Sequence, residues 1–266
     1  PGFPPPPVSI SRGVSKTERG TLNGAPAAVH TADGGAVYVA PDPQPEGASL
    51  FFFTRLGGVS MPPYDSLNVS RKVGDTPGAV GENLSIIRAA MKGRPAAWVT
   101  QVAGDTVLRV SGAGLAGEAD ALITAEPDLC LSVAVADCVP VALVGEQEVA
   151  MVHSGWRGTL TGVSGKTARE LRGSPIRAYV GPSIRRCCYE VSQELADRFA
   201  TVFGREVVSG RYLSLQKAIR TDLEEAGVEV HDLGLCSGCR PDLFYSHRMQ
   251  KPLTGRNLAS IVREAR

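Results

Sequence analysis

Three residues able to do chemistry sit among two strand-like apolar runs in CLSVAVADCVPVALVGEQEVAMVHSGWRG, residues 130–158. Asp137 and Cys138 interrupt the first run, and His153 closes the second just before a glycine-containing turn. Buried polar groups cost free energy unless they find partners, so a carboxylate, a thiol and an imidazole here require an explanation. A thiolate–imidazolium pair would make Cys138 a nucleophile with His153 as its base. Alternatively, thiolate and imidazole are both ligands for zinc or copper, and a site with an open coordination position generates hydroxide near neutral pH. Asp137 is placed to orient His153 or a substrate hydroxyl. Each residue also has a plain structural role: Cys138 as a small core side chain, His153 as a strand-end histidine, Asp137 as a turn or helix cap. Those roles account for the residues singly, but not for their coming together with the HSGWRG turn.

The elements that must position these groups are legible as hydrophobic patterns. SLFFFTR reads as a buried strand, and AAWVTQVAGDTVLRV as two short strands around a glycine turn. ADALIT, LCLSVAVAD, VPVALVG and EVAMVH continue with strand character, as do IRAYVG and VEVHDLG. TPGAVGENLSIIRAAMKG has a Thr-Pro start and a closing glycine, which predicts a helix. TLTGVSGKTARELRG, SQELADRFATVFG and LSLQKAIRTDLEEAG are further helices, the last with Leu215, Ile219, Leu223 and Ala226 on one face. DLFYSHR is expected as a strand and GRNLASIVREA as a final helix. RLGGVSMPPYDSLNVSRKVGD has no period and reads as a long functional loop. Strands and helices mix without strict alternation, which favours an α+β fold with mixed sheets. The chain divides into residues 1–48, a proline-rich lead-in (PGFPPPPVSISRG, extended or disordered) with first strands, and a core of residues 49–266.

With 266 residues, 43% hydrophobic and 21% charged, the chain has the composition of an ordinary globular protein. A net charge of +1 gives no reason to expect a nucleic-acid partner or an acidic membrane surface. No basic-then-apolar leader is visible and the longest apolar run is too short to span a bilayer, so the expectation is a cytoplasmic protein. Cys236 and Cys239 form a C-x-x-C, and Cys187 and Cys188 are adjacent. A four-thiolate zinc site is conceivable, but an adjacent pair lacks normal ligand spacing, so reduced structural cysteines are expected and no chemistry is assigned to them. GAGLAG, residues 112–117, matches G-x-G-x-x-G, but no helix can open after it before Pro127, so a dinucleotide site is excluded and a loop expected.

FTRLGGVSMPPYDSLNVSRKVGD, GENLSIIRAAM, WVTQVAGDTV, ADALIT, VADCVPV, VHSGWRG, YVGPSIRRCCYEV and DLFYSHRMQKPLTGR together resemble the bacterial multicopper-polyphenol-oxidase, or laccase-domain, family. The likeness runs in order from roughly Leu50 to the C-terminus. Members of that family are also described as purine nucleoside phosphorylases with adenosine deaminase activity, and in one lineage as a peptidoglycan-editing factor. The resemblance implies a single domain built as a four-layer α/β/β/α-type sandwich. It further implies a metal-dependent purine nucleoside enzyme that phosphorolyses adenosine, inosine or guanosine to free base and ribose 1-phosphate, with adenosine deamination besides. The implied metal is zinc, or copper, on one cysteine and two histidines; Cys138 and His153 match two of these positions. The third belongs to a TQVHG motif, and this chain has TQVAG, placing Ala103 there. A methyl group cannot bind a metal, so binding is expected to be weakened or lost unless His247 or Asp105 fills in.

Arg55 and Arg157 flank glycines and suit phosphate or carboxylate, with a surface ion pair as the other option. Tyr64 is placed to stack on a purine, and Asn68 and Ser60 to reach ribose or base edges, unless they serve local turns. Two readings of other classes stand beside the nucleoside enzyme. One is a metal-independent Cys–His hydrolase, with Cys138 the nucleophile and His153 the base, acting on an amide such as a peptidoglycan precursor; Ala103 does not count against it. The other is a non-catalytic relative that keeps the fold.

Overall fold

The computed structural model describes residues 27–250 and 253–265; the proline-rich lead-in lies outside the described residues. Strands β1 (Ala27–Thr31), β2 (Val37–Pro41) and β3 (Ala48–Phe53) form an antiparallel meander. After the long loop comes α1 (Pro77–Ala90), with Pro77 in its first turn and the Thr76 hydroxyl accepting from the Ala79 amide. Next are β4 (Ala96–Thr100), β5 (Val107–Arg109), β6 (Gly114–Glu118), β7 (Ala121–Thr124), β8 (Cys130–Val135), β9 (Val139–Val144) and β10 (Val149–Ser154). Helices α2 (Trp156–Leu160) and α3 (Val163–Glu170), β11 (Arg177–Val180) and α4 (Gln193–Phe203) follow. A small ribbon of β12 (Val208–Ser209) and β13 (Tyr212–Leu213) leads to α5 (Leu215–Glu225), β14 (Glu229–Asp232), α6 (His247–Gln250) and β15 (Asn257–Arg263).

The strands assemble into a seven-stranded sheet, ordered β1-β2-β3-β15-β8-β4-β6, and a six-stranded sheet, ordered β14-β11-β9-β10-β7-β5. Both mix parallel and antiparallel pairs. The chain is thus a single α+β domain with two mixed sheets. Side-chain alternation divides each central strand between two apolar clusters. In β9, Val139, Val141 and Leu143 join the cluster containing residues of α3, α4 and α5, whereas Ala142 and Val144 join Leu50, Phe52, Leu131 and Val133 of the seven-stranded sheet. In β3, Phe51 and Phe53 turn instead toward Ile87 and Met91 beside α1.

Three sequence expectations are corrected. GAGLAG is not wholly a loop, because its residues from Gly114 onward begin β6, paired with β4. GRNLASIVREA is not a helix but contains β15, hydrogen-bonded between β3 and β8. Nearly every residue of β15 is buried, so it has no polar face to show a period, and apolar residues three and four apart mimic a helix. DLFYSHR is a turn running into α6 rather than a strand. Among the described residues, no helix is long and apolar enough to cross a membrane.

Candidate active site and thiolate cluster

Cys138 lies where the chain leaves β8 in one sheet and enters β9 in the other. The crossing needs a sharp turn, and Asp137 takes it at φ +86°, in the left-handed region that L-residues rarely occupy. Such a conformation costs on the order of 1–3 kcal/mol and persists only where its surroundings fix it. Three hydrogen bonds do so here. The Asp137 carboxylate accepts from Ser237 Oγ at 2.7 Å and from the Arg248 amide at 2.6 Å, and its carbonyl accepts from the Ile184 amide at 3.0 Å. Cys138 is left partly exposed.

His153 is near the end of β10, 8% exposed. Its partner is Asp120, the fully buried residue just before β7. Because β7 runs antiparallel to β10 with Val152 opposite Ala121, the next pair along brings Asp120 to His153. The His153 amide donates to the Asp120 carbonyl at 2.7 Å, and Nδ1 meets Asp120 Oδ1 at 2.7 Å. The same carboxylate accepts from the amides of Val102 at 3.3 Å, Ala103 at 3.0 Å and Gly104 at 2.6 Å. Cys138 lies within electrostatic reach of the imidazole. Gly155 is needed at the turn, because a Cβ there would sit 3.1 Å from Cys138 Sγ. Imidazole and carboxylate are thus joined by hydrogen bonds, with the Cys138 sulfur near them across Gly155.

Burial would by itself raise the Asp120 pKa, but the bonds from His153 and the Gly104 and Ala103 amides outweigh it and hold the group below its usual value. Burial likewise opposes charge on His153, but the negative charge of Cys138 and the Asp120 hydrogen bond prevail and raise it from 6.5 to about 9. The raised value fixes the sign of a pH effect. Stability contributed by His153 is fully present below 6.5, its unfolded value, and is lost as pH rises through about 9. Asp120 contributes above 3.8 and loses that contribution as pH falls through its lower folded value. Denaturant melts across this range should show unfolding free energy declining on the alkaline side, and the His153→Asn variant should lose that slope. An unchanged alkaline slope in the variant would contradict the assignment.

The structure places the remaining expected site residues elsewhere. Asp137 does not orient His153; its carboxylate is committed to Ser237 and Arg248. The Arg55 guanidinium donates to the carbonyls of Asp65 and Pro241, pairs with the Asp65 carboxylate at 3.1 Å and lies over the Tyr245 ring. Tyr64 donates its hydroxyl to the Val73 carbonyl, and Asn68, fully buried, bonds Ser70, Asp75 and the Arg256 amide. Ser60 donates to Asp75. These bonds knit the long loop to itself and to Asn83 of α1. Arg157 is exposed and stacks over Trp156, with 4.2 Å from Cζ to the ring centroid. Asp105 pairs with Lys166 at 3.4 Å, and His247 is exposed on α6.

Sequence reasoning missed Asp120, and also Arg256, whose guanidinium lies within electrostatic reach of Cys138 and Asp137. A groove nearby is lined by Trp156, Tyr189, Glu190, Arg211 and Arg248. Trp156 follows His153 by one turn of chain, and the charge of Cys138 adds to burial in raising the Tyr189 phenol to about 12.

A metal centre on Cys138 and His153 does not fit these residues. Ala103 contributes only its amide, donated to Asp120, so the Cys138–His153 pair finds no third ligand there. Among the described residues, the one set of three or more metal-ligating side chains close enough to share an ion is Cys187, Cys188, Cys236 and Cys239, with all four sulfurs within 4.8 Å of one another. The expectation of zinc at Cys138 and His153 is thereby overturned, and with it the phosphorolysis and deamination chemistry drawn from that ion. The four cysteines, expected as reduced structural residues, are free thiols, and they meet in one cluster despite the adjacent pair. Four cysteine sulfurs, deprotonated on binding, make a soft donor set, compatible with copper(I).

The fold and site define an α+β domain with a cysteine–histidine–aspartate group and a separate thiolate cluster. A family model described as multi-copper polyphenol oxidoreductase laccase matches residues 49–264, and the chain belongs to that family. The protein is 36% identical over 234 residues to Purine nucleoside phosphorylase YfiH of Escherichia coli K12, covering 83% of this chain and 95% of that one. It is 32% identical over 248 residues to Purine nucleoside phosphorylase YlmD of Geobacillus stearothermophilus, covering 82% of this chain and 90% of the relative. Among solved structures it is similar to Neisseria meningitidis protein NMB0706, with a TM-score of 0.76 at 30% identity, covering 89% of this chain and 99% of that one. The solved YlmD from Geobacillus stearothermophilus also gives a TM-score of 0.76, at 29% identity and the same coverage of both chains.

Proposed function

We propose that this protein is a thiol-dependent hydrolase of amide bonds, with a peptidoglycan precursor as the substrate class. Cys138 is the nucleophile, His153 the proton carrier and Asp120 the residue that orients His153. The observation that carries the reading is the 2.7 Å bond from Asp120 to Nδ1 of His153, which leaves the other ring nitrogen for Cys138. This is the logic of a nucleophile, a base and a third group that fixes the base's tautomer. In the proposed step, Cys138 Sγ forms a bond to the carbonyl carbon, the carbon–nitrogen bond breaks, and His153 gives its proton to the departing amine. Water then cleaves the thioester, returning the acid product, with a proton going back to the site. Arg256 supplies positive charge beside the reacting sulfur. The groove has two aromatic walls, with Arg211 paired to Glu190 and Arg248 stacked over Tyr189, which suits a polar substrate.

The layer order α/β/β/α is also our reading, supported by the division of apolar side chains into a cluster shared by both sheets and one beside helices on each side.

The test is amine release from a panel of peptidoglycan-derived amides, before and after iodoacetamide treatment, with peptide mass mapping to follow each cysteine. Metal-independent hydrolysis that declines in step with Cys138 modification supports the reading. A chain that leaves the whole panel intact overturns it, and the non-catalytic alternative then stands.

A further inference from the structure

We propose that Cys187, Cys188, Cys236 and Cys239 hold one thiophilic closed-shell cation, as a structural site that joins the loops following β11 and β14. The site is independent of the hydrolase reading. β11 and β14 are parallel neighbours, so their following loops leave the sheet side by side. The pairing continues past the strands as a bridge from Ser183 to Cys236, and the Ser237 amide donates to the Ser183 carbonyl. This places Cys187 and Cys188 of one loop against Cys236 and Cys239 of the other. The sulfur–sulfur distances are 3.5 Å for Cys187–Cys236, 3.4 Å for Cys187–Cys239 and 3.4 Å for Cys188–Cys239. A tetrahedron with metal–sulfur bonds of about 2.3 Å has edges of about 3.8 Å. These three spacings need shifts of only a few tenths of an ångström to meet that value, and the full set, within 4.8 Å, closes on it with movements of about 1 Å.

One further feature belongs to a ligand-binding turn. Gly238, inside the C-x-x-C, has no room for a side chain: a Cβ there would lie 2.9 Å from Cys188 Cβ and 3.0 Å from Cys188 Sγ. Thiols are weak donors and weak acceptors, so four of them facing one another gain little unless something shared replaces their protons. Cys187 and Cys239 are exposed, which gives an ion access.

Four protein ligands leave no open coordination position, so the role is structural rather than catalytic. What the ion would hold is specific. Ser237, between Cys236 and Cys239, is the residue whose hydroxyl anchors Asp137, next to Cys138. The cluster therefore braces the strained turn that positions Cys138.

The full chain, reduced and stripped of metal, is titrated anaerobically with copper(I), and in parallel with zinc(II) and cobalt(II). Wild type and Cys138→Ser should each bind one ion per chain, with the cobalt form showing the charge-transfer and visible bands of tetrahedral thiolate ligation. Cys236→Ser/Cys239→Ser should lose affinity by at least about 100-fold. Should that variant fail to fold, thiol counting on wild type decides: one bound ion should protect four thiols from a chromogenic reagent. Absence of stoichiometric binding, binding lost only in Cys138→Ser, or a protein mass showing disulfides in place of an ion would overturn the proposal.

Discussion

Cys138→Ala should reduce amide hydrolysis by about 10³-fold or more while leaving the fold and the metal stoichiometry unchanged. The size follows from the role: without the sulfur no thioester can form, and His153 has no nucleophile to serve. The selectivity follows from the location. Cys138 is partly exposed at a crossing between sheets, and it packs at the edge of the apolar cluster rather than within it. Removing one sulfur there should cost on the order of 1 kcal/mol of stability, far below what an interior truncation costs. Circular dichroism and a melting curve beside the kinetics distinguish the two effects. Retained turnover in a well-folded Cys138→Ala protein would sink the assignment.

Asp120→Asn should do the opposite, harming both stability and turnover. The carboxylate takes four donors, from His153 and the amides of Val102, Ala103 and Gly104, in a fully buried position. An asparagine offers one oxygen and an NH2 group, so at least one of those donors would face another donor. Leaving such buried groups unpaired costs about 1–3 kcal/mol each. Turnover should fall by up to about 10⁴-fold, because the imidazole is then free to take the wrong tautomer. The pKa of His153 should drop as well, since Asp120 is one of the groups that hold it up. Chemical shift titration of the His153 ring and a denaturant melt check the two halves separately. Asp137→Asn gives the contrast: its carboxylate does not touch the imidazole, so it should leave the His153 titration in place.

Residue types and spacing made Cys138 and His153 legible, because both stand out against valine-rich strands. The strands themselves were legible from alternation, and α1, α4 and α5 from their caps and apolar faces. Asp120 was not, because its role depends on β7 lying beside β10, a pairing between segments 33 residues apart that no local pattern announces. Within ADALIT it reads as one polar residue at a strand start. Asp137 drew attention by adjacency to Cys138, yet it takes the sharp bend between β8 and β9, which turns its carboxylate to Ser237 and the Arg248 amide. The cysteine cluster could be named from the sequence but not established, for the same reason as Asp120: two pairs 48 to 52 residues apart meet only because β11 and β14 are parallel neighbours. Arg55, Tyr64 and Asn68 looked like binding groups because they lie in a long polar loop. That loop, however, consumes its own side chains to satisfy a backbone that has no ladder to pair with.

The central claim is a covalent one, and mass spectrometry of the protein quenched during turnover tests it most directly. The account predicts an acyl group of substrate mass on Cys138, carried as a thioester that hydroxylamine removes, and its accumulation when His153 is replaced by asparagine after a slow first acylation. Steady hydrolysis with no acyl adduct on Cys138, or with the adduct on another residue, would contradict it.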